Sequence, residues 1–229
     1  MVGAVVSAQV KSKQRVQEHG EVFTNEREVN AMLDMVKQET ERIESRFLEP
    51  ACGDGNFLAE VLRRKLAVVD NLYRKSPTEY MRYAFVAVAS IYGVDILEDN
   101  AHECRERLYG IVEGESKAAI KGAADPLFLE AVRYVLEKNI LCGDALTLRD
   151  ASGDPITFAE WSVVTGDKVK RRDYLLSELL EGHNAQPSLF GESGSMVTDW
   201  EYDEETQAYI PSAVREYPPV NYWEVQRNG

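Results

Sequence analysis

The sequence predicts an α/β fold, a mostly parallel sheet with helices on both faces. Three observations carry this. Short apolar runs that read as strands alternate with amphipathic stretches that read as helices, the pattern of βαβ units. Three of those runs end in a carboxylate, at Glu49, Asp95 and Asp144, and parallel sheets bind ligands beyond the carboxyl ends of their strands. The first run also passes directly into a turn of small residues, Pro50, Ala51, Cys52, Gly53, Asp54 and Gly55, and from there into an apolar stretch.

The elements follow in order. Residues 15–24 form an entry segment that ends at Thr24 as a helix cap. The stretch "NEREVNAMLDMVKQETERI" then places Val29, Met32, Leu33, Val36 and Ile43 on an approximate helical stripe, with acids early in the run. "RFLEPA" is a short strand, and "NFLAEVLRRKLAVVDNLY" is an amphipathic helix. Pro77 restarts the chain into a helix over "TEYMRYAFVAVAS", and "IYGVDIL" is a buried strand. "EDNAHECRERLYGIV" is helical. In "DPLFLEAVRYVLEK", Asp125 is the cap and Pro126 the first helical residue. "NILCGDAL" is the third strand and "PITFAEWSVV" the fourth, with Glu160 inside it.

The pattern divides the chain into an arm (1–14), a domain (15–180) and an acidic, aromatic extension (181–229). The extension opens with the polar loop "EGHNAQPSLFGESGS". It either straps the chain's own core as a hairpin or docks on a partner protein through Trp200, Tyr202, Tyr209, Tyr222 and Trp223.

Composition narrows the class. A chain of 229 residues is long enough for one substantial core. No apolar run approaches the roughly 20 residues of a membrane span, and the opening residues lack the basic start of a signal peptide. Three cysteines, Cys52, Cys104 and Cys142, without a Cys-x-x-Cys pair suit a reducing, cytoplasmic setting. The three histidines are too scattered for a zinc site, so no metal is expected. The net charge of −13 and pI of about 4.8 oppose unaided binding to a polyanion.

A glycine turn between strand and helix lets backbone N–H groups approach a ligand closely. A Walker-type phosphate loop needs a Gly-Lys-Ser/Thr ending, which is missing. A dinucleotide fingerprint accepts Gly53 and Gly55 but places Leu58 where a third small residue belongs. S-adenosyl-L-methionine carries a sulfonium and an ammonium and no phosphate. Its charges explain acids around the turn, Glu49 before it and Asp54 within it. Asp95 is placed to take the ribose hydroxyls, and Asp144 to accept from the adenine amino group.

With these residues assembled, "FLEPACGDGNFL" resembles the first cofactor motif of N6-adenine DNA methyltransferases of restriction–modification systems. "IYGVDILEDNAHECRERL" resembles their second motif and "NILCGDAL" their third. "HGEVFTNEREVNAMLD" resembles the motif upstream of the turn, with Thr24-Asn25 where Thr-Pro is usual. The resemblance spans roughly Arg15 to Leu148. It implies a Rossmann-like methyltransferase fold with S-adenosyl-L-methionine as cofactor. It also implies that Thr24 and Glu49 hold the methionine end, with the backbone of Pro50, Ala51, Cys52, Gly53, Asp54 and Gly55 beside it. Asp95 would bind the ribose, Ile96 would pack on the adenine, and Asp144 with Ala145 would bind its amino group. Cys52 reads as a small packing residue rather than a nucleophile.

The family's catalytic Asn/Asp/Ser-Pro-Pro-Tyr/Phe motif is missing after the fourth strand. Its place offers Glu160 as a hydrogen-bond acceptor and Trp161 as a stacking ring for a base flipped out of the duplex. The basic cluster Lys168, Lys170, Arg171 and Arg172 is the candidate phosphate contact. The resemblance therefore implies DNA as substrate, read with help from another subunit. The alternatives are a catalytically silent cofactor-binding subunit and a methyltransferase with a non-DNA substrate.

Overall fold

The computed structural model describes residues 15, 17, 24–122, 124–184, 200–203 and 208–228. The arm expected over 1–14 and most of the polar loop after 184 lie outside the described residues.

The chain is α/β. The first helix whose bounds lie among the described residues, α1 (Glu26–Met35), is capped by Asn25, whose side chain accepts from the Glu28 N–H. The cap is thus Asn25 and not Thr24: an amide oxygen one residue later reaches the orphan donor. A short α2 (Lys37–Thr40) follows. Val29, Leu33 and Ile43 are buried as the stripe implied, while Met32 and Val36 face outward.

Strand β1 (Phe47–Glu49) feeds the glycine turn and α3 (Asn56–Tyr73), and α4 (Pro77–Ala89) leads to β2 (Ile91–Asp95). Two more helices, α5 (Glu98–Ile120) and α6 (Pro126–Asn139), lead to β3 (Ile140–Asp144). Asp125 caps α6 by accepting from the Leu127 N–H, and Pro126 opens the helix. Strands β1, β2 and β3 are parallel and lie in sequence order, and a short β4 (Arg149–Asp150) closes that sheet antiparallel to β3.

The unreversed strand order explains how the helices are distributed. Two crossovers of one hand that step in one direction lay their helices on one face. The main core accordingly joins α1, α3, α4, α5 and α6 to the helix-facing side of the sheet. Gly93 sits at that interface; a Cβ there would come within 3.0–3.1 Å of Leu58 and Cys52. The other face carries Tyr92 and Val94, packed against Ile156, Phe158 and Leu176. Cover on that face comes from one helix, α7 (Leu176–Asn184), and the start of β5 (Thr157–Val163).

The fourth expected strand exists as β5, but outside the parallel sheet. It pairs antiparallel with β6 (Lys168–Leu175) in a second sheet. The C-terminal part of the chain contributes β7 (Trp200–Asp203) and β8 (Ala208–Pro211), a hairpin, then β9 (Arg215–Glu216) and β10 (Val220–Asn221), both on β6. A final 3-10 turn, Tyr222–Asn228, straps the core. Tyr222 is buried against Phe85 and Phe128, and Val225 is buried beside it. Tyr222 and Trp223 therefore belong to the chain's own packing. The side chains of Trp200, Tyr202 and Tyr209 lie outside the described residues.

Candidate functional site

The parallel strands all point their carboxyl ends to one edge. The register steps upward across the sheet: Glu49 pairs with Gly93, and Asp95 with Cys142. Each strand thus delivers its terminal acid two residues beyond its neighbour's, a rise of roughly 6–7 Å per step. Glu49, Asp95 and Asp144 line this edge as a staircase of carboxylates.

Asp95 binds the glycine turn. Its Oδ2 accepts from the Gly53 N–H at 2.8 Å; its Oδ1 accepts from the Leu97 N–H at 2.9 Å and from Asn100 Nδ2 at 3.2 Å. Asp95 is 8% exposed. A carboxylate has about four acceptor sites, so these three bonds leave it roughly one for a ligand.

The turn itself is built by backbone geometry. Gly53 and Gly55 both have positive φ, +53° and +87°. The Cys52 N–H donates to Val94 O at 2.9 Å, and the Gly55 N–H returns to Cys52 O at 2.9 Å. A Cβ on Gly55 would meet Cys104 Sγ at 2.7 Å, so both the backbone conformation and the approach of α5 require glycine there. Cys52 is buried. Its thiol is pushed well up, first by its hydrogen bond with Cys104 and then by burial, which removes thiolate character.

Asp54 is the one carboxylate in the turn. Its Oδ2 accepts from Arg107 on α5 at 2.7 Å, while its Oδ1 is buried without a partner. Arg107 also donates to Asn56 Oδ1, so one guanidinium fastens the turn to the start of α3. Burial pushes the Glu49 carboxyl above its usual range, and a hydrogen bond from the Ala51 backbone pulls it partly back. Asp144 is held below the usual range by the Leu146 N–H, at 2.8 Å, and the Thr147 hydroxyl, at 3.0 Å. Beside these acids the edge presents apolar surface: Ile96 is 57% and Leu146 95% exposed. Pro50 and Ala51 are exposed at the turn, and Ala145 packs on the second core. Thr24 is exposed ahead of α1.

Asn100, Arg107 and Arg15 complete this edge and were not singled out from the sequence. Arg15 donates to Asp99 Oδ2 at 2.5 Å and to Asn100 Oδ1 at 3.1 Å. The available signal was a polar residue within the first turn after a strand-end acid, at Asn100. Arg107 gave no local signal, because its partners are 51 and 53 positions away.

The remaining candidates lie elsewhere. Glu160 is ion-paired with Arg46, the residue before β1. The whole of β1, roughly 10 Å of strand, separates Arg46 from the turn. Trp161 faces the opposite side of β5, as strand neighbours must. Its Nε1 donates to Asn139 Oδ1 at 3.2 Å, and its ring meets Phe85 and Tyr134 edge-on. The two residues therefore do not converge on one base.

The basic cluster is likewise split by strand alternation. Arg171 is buried and gives a two-point pair to Asp173, at 2.7 and 2.9 Å, with a further bond to the Tyr134 hydroxyl. Lys170 pairs with Glu216 at 2.7 Å, and Arg172 lies 3.9 Å from the same carboxylate. Lys168 is exposed.

Among the described residues, no cluster of His, Cys, Asp and Glu is arranged to hold a metal, and no helix is long and apolar enough to cross a membrane. No family model, curated protein or solved structure matches the chain.

Proposed function

We propose that the carboxyl edge of the parallel sheet binds S-adenosyl-L-methionine and that the chain is the cofactor-binding part of a DNA N6-adenine methyltransferase with a Rossmann-like fold. The observation that carries the proposal is the glycine turn bonded to Asp95, with Glu49 before the turn, Asp54 within it and Asp144 at the end of the strand beyond Asp95. An orphaned, buried oxygen on Asp54 and a carboxyl raised by burial on Glu49 are both relieved by a nearby cation. A phosphate would worsen both. The cofactor's ammonium and sulfonium therefore fit the residues present, and Ile96 offers apolar surface to its adenine.

When bound, the cofactor supplies an electrophilic methyl group. The chain's own residues would orient it: the turn's backbone would hold the methionine end, Asp95 would bind the ribose hydroxyls, and Asp144 with Ala145 would hold the adenine. Asp95 has one acceptor site open, so ribose binding requires it to share or release one of its three donors.

A second reading is favoured by a specific observation. Glu160 is held near the start of β1 and Trp161 is held in the core, so neither sits at the turn. That arrangement suits a chain that binds cofactor without itself handling the target amino group, as one subunit of a modification assembly. Long-read sequencing for N6-methyladenine in DNA from a methylation-free host expressing this chain alone tests the choice. Methylation at a defined motif, lost in Asp95→Asn, supports the enzyme. An unmodified genome together with measured cofactor binding supports the subunit reading.

A further inference from the structure

The aim of the Asp95 carboxylate is set by three N–H donors. Two are backbone groups, at Gly53 and Leu97, fixed by the glycine turn and by the entry to α5. The third is the Asn100 side chain, the only one of the three able to rotate. It is also the bond that can lengthen to admit a ribose hydroxyl while its owner stays in place.

Asn100 lies in the first turn of α5 and is 1% exposed. Its amide has one donor end and one acceptor end. Turned one way, Nδ2 donates to Asp95 Oδ1 at 3.2 Å. Turned the other way, a carbonyl oxygen would face a carboxylate oxygen with no proton between them. Arg15 decides which. Its guanidinium can only donate, and it donates to Asn100 Oδ1 at 3.1 Å. That bond is open only to the orientation that sends Nδ2 to Asp95. Arg15 is itself held by a two-point pair with Asp99, at 2.5 and 3.2 Å. The Asp99 side chain is 51% exposed, so the pair adds little stability. Its effect is geometric: one planar fork spans two consecutive residues of α5, which a lysine ammonium is not shaped to do.

We infer that Arg15 is a positioning residue of the proposed cofactor edge, acting through Asn100 to hold the Asp95 carboxylate ready for the ribose hydroxyls. The relay runs from Arg15 through Asn100 and Asp95 to the Gly53 N–H. It joins the entry segment, the start of α5 and the glycine turn. Groups that meet a ligand need such a supporting layer to keep their geometry. The inference rests on the cofactor reading and adds to it a residue that touches no ligand.

Calorimetric titration of the full chain with S-adenosyl-L-methionine tests it, on the wild type, Arg15→Ala, Arg15→Lys, Asn100→Ala and the Arg15→Ala/Asn100→Ala double variant. Arg15→Ala should weaken binding about tenfold with an unchanged circular dichroism spectrum. Arg15→Lys, which keeps the charge and loses the fork, should be weakened nearly as much. The double variant should bind no more weakly than Asn100→Ala alone, because both changes act through one contact. With no ligand present, Arg15→Ala should also move the Gly53 and Leu97 amide resonances in a heteronuclear NMR spectrum. Unchanged affinity in Arg15→Ala, full recovery by Arg15→Lys, additive losses in the double variant, or an unmoved Gly53 amide overturns the inference. A folded wild-type chain that binds no cofactor while the Gly53 amide still responds to Arg15→Ala would overturn the cofactor reading itself, and would leave the relay a purely structural tie.

Discussion

The Gly53 N–H donates to Asp95 Oδ2 at 2.8 Å, across 42 positions of sequence. This bond ties the turn after β1 to the end of β2 and sets the shape of the proposed cofactor edge. Asp95→Asn replaces an ionised acceptor of three N–H groups by a neutral one with a single acceptor oxygen. Stability should fall by about 1–3 kcal/mol, and affinity for S-adenosyl-L-methionine should fall by about two orders of magnitude, ~2.7 kcal/mol. Urea unfolding and calorimetric titration read the two effects separately.

Gly55→Ala tests the close approach of α5. The new Cβ meets Cys104 Sγ at 2.7 Å in a backbone conformation with φ +87°. The left-handed conformation alone costs about 1–2 kcal/mol, and the clash adds to it. Pairing it with Cys104→Ala should recover the sulfur clash but not the backbone term. A double-mutant cycle in urea checks this, and strict additivity would rule out the contact.

Lys65 offers a pH test. It is buried, with Nζ donating to Ile43 O at 3.0 Å, to Ser45 O and to Ser90 Oγ. Burial is the leading cause that lowers its pKa, from 10.5 to about 7, against the pull of Glu44 and Glu39. Between about 7 and 10.5 the unfolded chain then binds more protons than the folded one, so this group makes stability rise with pH there. The urea midpoint should increase from pH 7 to pH ~9 in the wild type. Lys65→Met should remove that increase.

Arg171 and Lys168 should behave oppositely although both belong to one basic run. Removing Arg171 leaves Asp173 buried and uncompensated, a loss of about 3–5 kcal/mol. Arg171→Ala should therefore lower the melting temperature sharply. Lys168→Ala, at an exposed position, should stay within about 0.5 kcal/mol of the wild type.

Much of this organisation was legible in the residues. The helix over 56–73 and the capped helix beginning at Pro126 have the predicted starts, because apolar period, Asp125 and Pro126 all agree locally. Strands ending at Glu49, Asp95 and Asp144 were readable for the same reason. What failed was non-local. "PITFAEWSVV" is strand-like, but its choice of β6 over the parallel sheet depends on a partner some ten residues on, "KVKRRDYL", which reads as a charged loop. Strand alternation then explains two further differences: Glu160 and Trp161 part to opposite faces, and Arg171 turns inward while Lys168 and Lys170 do not. The ties of Asp95 to Gly53 and of Arg107 to Asp54 span 42 and 53 positions and had no local signature.

Calorimetric titration of the purified chain with S-adenosyl-L-methionine tests the proposed cofactor edge directly. One site per chain is expected, weakened about a hundredfold by Asp95→Asn and unaffected by Lys168→Ala on the second sheet. Failure of the folded wild-type chain to bind, or binding that survives Asp95→Asn unchanged, would contradict it.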